Sequence, residues 1–184
     1  MICLKIKLIS KTKKLKPWIR RLIGLFFKIA IVVGLLYMCF TQVTGFYYYR
    51  GNYMFPAIKD GDLLVLDRIS ELILNDVVVY RAEDGEQRVG RIVAKSGDFV
   101  SFTDSGELLI NGCLPSEEIF YASTPNKSAK KITYPYEVKE DEYFILNDYR
   151  TGMNESFDDS RTYGSISADQ IEGKVTLRIQ RRGF

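Results

Sequence analysis

The stretch Gly51-Asn52-Tyr53-Met54-Phe55-Pro56-Ala57-Ile58 runs through Lys59 into an Asp60-Gly61 pair and then into the apolar run Leu63-Leu64-Val65-Leu66. Glycine accepts positive φ and aspartate bonds its own backbone, so the pair marks a turn that delivers the chain into a strand. The same alternation continues outward. Runs rich in β-branched and aromatic residues span Asp76–Tyr80, Arg88–Val93, Phe99–Phe102, Leu108–Ile110, Tyr143–Leu146 and Lys174–Ile179, with Asp84-Gly85 and Asn111-Gly112 among the turns between them. These strand lengths are near the usual mode and predict a mainly β domain built from hairpins in a curved antiparallel sheet. Tyr121 to Tyr136, with two prolines and the basic Lys127, Lys130 and Lys131, reads as a surface loop.

On the N-terminal side, residues 22–40 read LIGLFFKIAIVVGLLYMCF, nineteen residues with a single charge. At about 1.5 Å per residue this covers most of a roughly 30 Å hydrocarbon layer, which predicts one transmembrane helix. Residues 1–21 are basic, and no acidic residue precedes Asp60. The positive-inside rule then puts 1–21 in the cytoplasm and the domain 41–184 outside a cell membrane crossed once. A cleaved signal peptide is the competing reading. The apolar run exceeds the usual signal core of about 7 to 15 residues, and Tyr37 to Phe40 offers no small-x-small cleavage site. Phe46-Tyr47-Tyr48-Tyr49 directly follows and reads as an aromatic belt at the headgroup layer, or as rings that hold the domain against the membrane.

The net charge of +3 conceals an uneven distribution, because nine of the 26 basic residues lie before residue 41. The remainder carries 17 basic against 23 acidic residues and is mildly acidic. That argues against nucleic acid as a partner and for contact of the basic tail with anionic membrane lipid. Of the three cysteines only Cys113 falls in the domain, so no internal disulfide framework is available there. Histidine is absent, which removes a Ser-His-Asp triad or a histidine-bound zinc from this chain acting alone. No cofactor or metal is expected.

The order of motifs resembles the type I signal peptidase family across nearly the whole exported part. Met54-Phe55-Pro56 and the Gly61-Asp62 turn are similar to that family's Ser-Met-x-Pro loop and following Gly-Asp. Asn75-Asp76-Val77-Val78-Val79-Tyr80 looks like its Gly-Asp-Ile-Val-Val-Phe strand. Gly90-Arg91-Ile92-Val93-Ala94-Lys95-Ser96-Gly97-Asp98 resembles its Lys-Arg stretch, and Ile110-Asn111-Gly112 its following hairpin. Asp141 to Arg150 resembles the approach to Gly-Asp-Asn-Arg, and Asp159-Ser160-Arg161 its Asp-Ser-Arg. The resemblance implies a signal-peptidase-type β domain in which serine attacks a peptide carbonyl and a neutral lysine takes the proton.

It also locates the departures. By position the nucleophile is Tyr53 and the general base is Gly90, so no catalytic residue is intact, while Met54, Pro56, Arg91, Asp159, Ser160 and Arg161 are retained as groove or support residues. A tyrosine hydroxyl is weakly acidic and sits at the far end of a rigid ring, well beyond where a serine oxygen would lie. Lys95 is five residues past Gly90, which on a continuous strand puts it on the opposite face, and Ser96 beside it diverges again. Asp159 and Arg161 read as an ion pair tying two loops. Asn147 and Tyr149 replace the glycine and asparagine of Gly-Asp-Asn-Arg, and the lengthened stretch before Asp159 leaves Ser156 without a role.

The resemblance therefore implies a membrane-anchored, proteolytically inactive homologue. Its groove binds extended segments of exported proteins, as in homologues encoded with Gram-positive pilus genes, where the role is to assist sortase-mediated polymerisation of pilin subunits. The alternative is an active signal peptidase with a non-standard catalytic set. A sugar- or lipid-binding surface domain rests on exposed aromatics alone.

Overall fold

The computed structural model describes residues 16–115, 132–148 and 158–180. Lys127, Lys130 and Lys131 of the expected basic loop lie outside the described residues, as do Tyr149, Ser156 and Cys3. The chain divides after Thr41 into a helical unit and a β unit. Helix α1 (Pro17–Val43) exceeds the apolar stretch at both ends. Its mean hydropathy is 2.4, and among the described residues it is the one helix long and apolar enough to cross a membrane.

The β unit holds β1 (Thr44–Tyr48), β2 (Leu63–Asp67), β3 (Val77–Arg81), β4 (Gln87–Lys95), β5 (Phe99–Phe102), β6 (Leu108–Ile110), β7 (Tyr136–Glu137), β8 (Glu142–Leu146), β9 (Ile166–Ser167) and β10 (Ile171–Ile179). All seven runs read from sequence are strands. A seven-stranded sheet has the order β1-β2-β10-β3-β4-β8-β9, and β6-β5-β7 form a smaller one. Every pairing is antiparallel, as in a fold of linked hairpins. Asp84-Gly85 closes the β3–β4 hairpin, with Gly85 N–H donating to Ala82 O at 2.9 Å.

Strand β10 joins the two halves of the large sheet by pairing with β2 along one edge and β3 along the other. Its bulges permit this, and Gly173, at φ +156°, sits where an added Cβ would be 2.7 Å from the Asp67 carbonyl oxygen. Only glycine fits so close an approach of two backbones. Strand β4 is also bulged, between Ile92 and Ala94, so the expectation of a continuous strand placing Lys95 opposite Gly90 is corrected. Lys95 ends β4 and is exposed, as is Ser96 in the turn that follows, which is capped by Asp98, whose carboxylate accepts the Lys95 N–H at 2.9 Å.

The four rings of the aromatic cluster after the helix have unlike surroundings. Phe46 to Tyr48 lie in strand β1, where side chains alternate, so Phe46 and Tyr48 are exposed while Tyr47 packs against the core. Tyr49, the next residue, is buried within that core beside Met54, Ile58, Leu64 and Leu66. The pairing registers place Phe46–Val65–Leu177 and Tyr48–Leu63–Ile179 as two parallel rows across β1, β2 and β10. Together they make one uncovered apolar sheet face, on which Phe46, Tyr48, Leu177 and Ile179 are exposed.

Candidate functional site

The Met54-Phe55-Pro56 loop is the connection between β1 and β2. Its ends are tied by Tyr49 N–H to Asp62 O at 2.9 Å and Gly61 N–H to Tyr49 O at 3.0 Å. Inside the loop the Asp60 carboxylate accepts the Gly51 N–H at 2.8 Å, and the Met54 N–H donates to the Tyr49 phenol oxygen at 3.1 Å. Burial raises the Tyr49 phenol to about 12, against which its backbone hydrogen bonds act. Met54 is fully buried and anchors the loop, whereas Tyr53, at 44% exposure, and Phe55, at 45%, project outward. The loop therefore presents residue 53 to solvent and uses residue 54 for packing. Arg178, from β10, reaches under it to the Ala57 carbonyl.

Beside the loop opens a cavity of about 150 Å³. Among the described residues its lining is Tyr47, Tyr49 and Tyr53, the arginines Arg50 and Arg88, the acids Glu86 and Asp158, the amides Gln87 and Asn147, and Val89. Neither serine nor lysine is among these residues. A guanidinium is a hydrogen-bond donor only, so the two arginines do not supply a general base. Arg88 Nε lies 2.7 Å from Asp158 Oδ2, its Nη2 bonds Asp84, and its guanidinium sits 5.7 Å above the Tyr163 ring. Partial burial pushes the Asp158 carboxyl up from its ordinary range, and the Arg88 charge opposes this.

Gly90 does not line that cavity. Between Val77 and Arg81 the β3–β4 pairing is regular, with Tyr80 opposite Arg88 and Val78 opposite Gly90, so residues 88 and 90 share a face of β4. That face is packed: Gly90 is buried, and Tyr80, Ile92 and Ile145 belong to one core cluster around it. Tyr80 is held by a 2.8 Å hydrogen bond between its hydroxyl and that of Tyr163, whose own hydroxyl donates to the Asp158 carbonyl at 3.1 Å. Burial drives the Tyr80 phenol well above its ordinary value.

The support residues fall into separate sets of contacts. Arg91 forms a two-pronged pair with Asp148, at 2.8 and 2.7 Å, and donates to the Asn75 carbonyl at 2.8 Å. Asp159 and Arg161 are fully buried and joined at 2.6 Å. Both belong to the short helix α2 (Ser160–Tyr163) and its N-cap, so their pair is local and does not itself tie two loops. The tie comes from other atoms: Asp159 Oδ2 accepts the Asn147 N–H at 3.1 Å and Ser160 Oγ accepts the Ile145 N–H at 2.9 Å. These clasp the end of β8 against α2. Pro56 follows a cis peptide in the loop.

Sequence reasoning missed Arg88 and Asp158. The period of two on a strand offered the first, since Arg88 precedes Gly90 by two residues. Nothing offered the second, which depends on Asp158 coming to lie beside Arg88 of β4. Among the described residues no group of histidine, cysteine and acidic side chains could hold a metal ion.

The chain thus combines one helix long and apolar enough to cross a membrane with an antiparallel β unit that holds a Met-x-Pro loop beside a polar cavity and two buried Arg–Asp pairs. Residues 19–180 match the signal peptidase family, peptidase S26, and the chain belongs to it. Signal peptidase IB of Staphylococcus aureus is 28% identical over 184 residues, covering 91% of this chain and 90% of that protein. Signal peptidase I of Bacillus caldolyticus is 26% identical over 175 residues, covering 88% and 87%. The crystal structure of a signal peptidase I from Enterococcus faecalis matches 59% of this chain and 99% of its own, at 22% identity and a TM-score of 0.44.

Proposed function

We propose that this chain is a membrane-anchored, proteolytically silent member of the signal peptidase family that binds extended segments of exported proteins and assists sortase-mediated assembly of pilin subunits. One observation carries the reading. Among the described residues, the lining of the cavity beside the Met54 loop includes no serine and no lysine, with Tyr53 at the position the family gives to the nucleophile and Gly90 at that of the base. Peptide-bond cleavage by a Ser-Lys pair needs both a hydroxyl that can be deprotonated and an amine that can be neutral, and arginine supplies neither. Binding needs only main-chain hydrogen bonds at a strand edge and pockets for side chains, which remain available without chemistry.

The helix is the anchor, with the N-terminus in the cytoplasm and the β unit outside the cell membrane. Lipid contact is supported by the uncovered face of Phe46, Tyr48, Leu177 and Ile179, which begins three residues after α1 ends. The test uses the natural full-length chain in detergent with an exported precursor, the S. aureus signal peptidase IB serving as positive control, alongside capture of purified pilin subunits. Capture without cleavage is the expected result. Specific cleavage that disappears on one substitution would overturn the reading in favour of an active peptidase with a non-standard catalytic set.

A further inference from the structure

Position 90 is more than a missing lysine. A Cβ added there would lie 2.5 Å from Ile145 Cγ2, 3.3 Å from the Leu146 carbonyl oxygen and 3.4 Å from Tyr80 Cε1. The first distance is shorter than two non-bonded carbons can approach, so something must shift. The backbone around it resists shifting. Ile145 N–H is held by Ser160 Oγ at 2.9 Å, Leu146 pairs with Arg91 across the strands, and Tyr80 is tied through its hydroxyl to Tyr163. Ile145 is β-branched and fully buried, so its Cγ2 has few rotamers to escape into. Gly90 does not adopt a positive φ, so the demand for glycine here is one of space and not of backbone conformation.

We infer that Ile145 closes position 90 to every side chain, so that the general-base position has been rebuilt as apolar core and a lysine cannot be returned by changing Gly90 alone. Ile145 is thus a third determinant of silence, on a different strand from the two positions that the sequence displays. The inference rests on the proposed function only for the meaning of position 90 and stands on packing for the rest. Its specific content is the β-branch: Ile145→Leu conserves volume yet removes Cγ2, whereas Ile145→Val keeps it.

The test is a double-mutant cycle on the full-length chain in detergent, following the thermal midpoint of the β unit by near-ultraviolet circular dichroism. Gly90→Ala should lower the midpoint by about 2 to 12 °C, the range for overpacking a dense core in a domain of this size. In the Ile145→Leu background the same change should lose at least half of that effect, and in the Ile145→Val background it should keep it. An equal drop in all three backgrounds, or no drop in the natural one, would overturn the closure. Should Ile145→Leu fail to fold, Ile145→Ala also removes Cγ2 and takes its place. Cleavage of a precursor by the chain carrying only Tyr53→Ser and Gly90→Lys would likewise overturn it. Cleavage by the natural chain would instead sink the reading of a silent homologue, leaving the packing result to be judged on its own.

Discussion

Replacing Arg91 by alanine separates burial from distance as the source of an ion pair's value. Arg91 and Asp148 meet at 2.8 and 2.7 Å, and Arg81 and Glu172 meet at 2.7 Å, so Coulomb's law at one dielectric makes them similar. Their surroundings differ. The Arg91 and Asp148 side chains are 11% and 3% exposed, against 56% and 20% for Arg81 and Glu172. Arg91→Ala removes three hydrogen bonds, including that to the Asn75 carbonyl, and leaves the Asp148 carboxylate buried with its countercharge gone. Breaking a buried pair from one side costs about 3 to 5 kcal/mol, a large part of the roughly 5 to 15 kcal/mol that keeps a domain folded. Arg81→Ala should cost under about 1 kcal/mol, since water screens its pair. Urea unfolding of the full-length chain in detergent, followed by near-ultraviolet circular dichroism, measures both. Replacing the pair with Arg91→Met and Asp148→Leu together should recover most of the loss, because it removes the stranded charge. The reasoning fails if Arg91→Ala costs no more than Arg81→Ala.

Tyr49→Phe keeps the ring in the core but deprives the Met54 N–H of its acceptor, and should cost about 1 to 3 kcal/mol by urea unfolding, with faster hydrogen exchange at Met54. Met54→Ala empties a fully buried site under the loop and should cost about 2 to 5 kcal/mol in the same assay. Alkaline stability has a defined sign. Burial raises Tyr49 to about 12 and drives Tyr80 well above its ordinary value, so the folded state holds protons that the unfolded state releases near the ordinary 10. Their contribution is complete below pH 10 and is lost as pH rises through the folded values, so the phenolate absorbance should stay incomplete until the domain unfolds, and Tyr49→Phe should lower the total rise. An absorbance that completes near pH 10 in the folded protein would refute this.

Local chemistry carries over short distances, and the sequence was legible where only short distances mattered. The apolar run of residues 22–40 predicts a helix, and α1 contains it. Each of the seven β-rich runs is a strand, and Asp84-Gly85 makes the turn its residues favour. Strands β1, β7 and β9 were not read. Two have only two residues, and β1 was obscured because aromatic rings suit both a headgroup layer and a strand. Its alternation of exposed Phe46 and Tyr48 with inward Tyr47 emerges only once β2 is paired beside it.

Residue identity alone fixed that neither serine nor lysine stands at positions 53 and 90, since that needs nothing but the chain and the family's order of motifs. Tertiary structure decided what surrounds them. Arg88 and Asp158 meet across 70 residues of chain, Asp159 and Ser160 clasp the end of β8, and Ile145 approaches Gly90 from a strand 55 residues away. A bulge at Ile92–Ala94 shifts the register that a strict period of two would assume. Contacts of this kind depend on which strands become neighbours, and that is settled by burial of the whole apolar surface, a property of the folded chain that no local stretch contains.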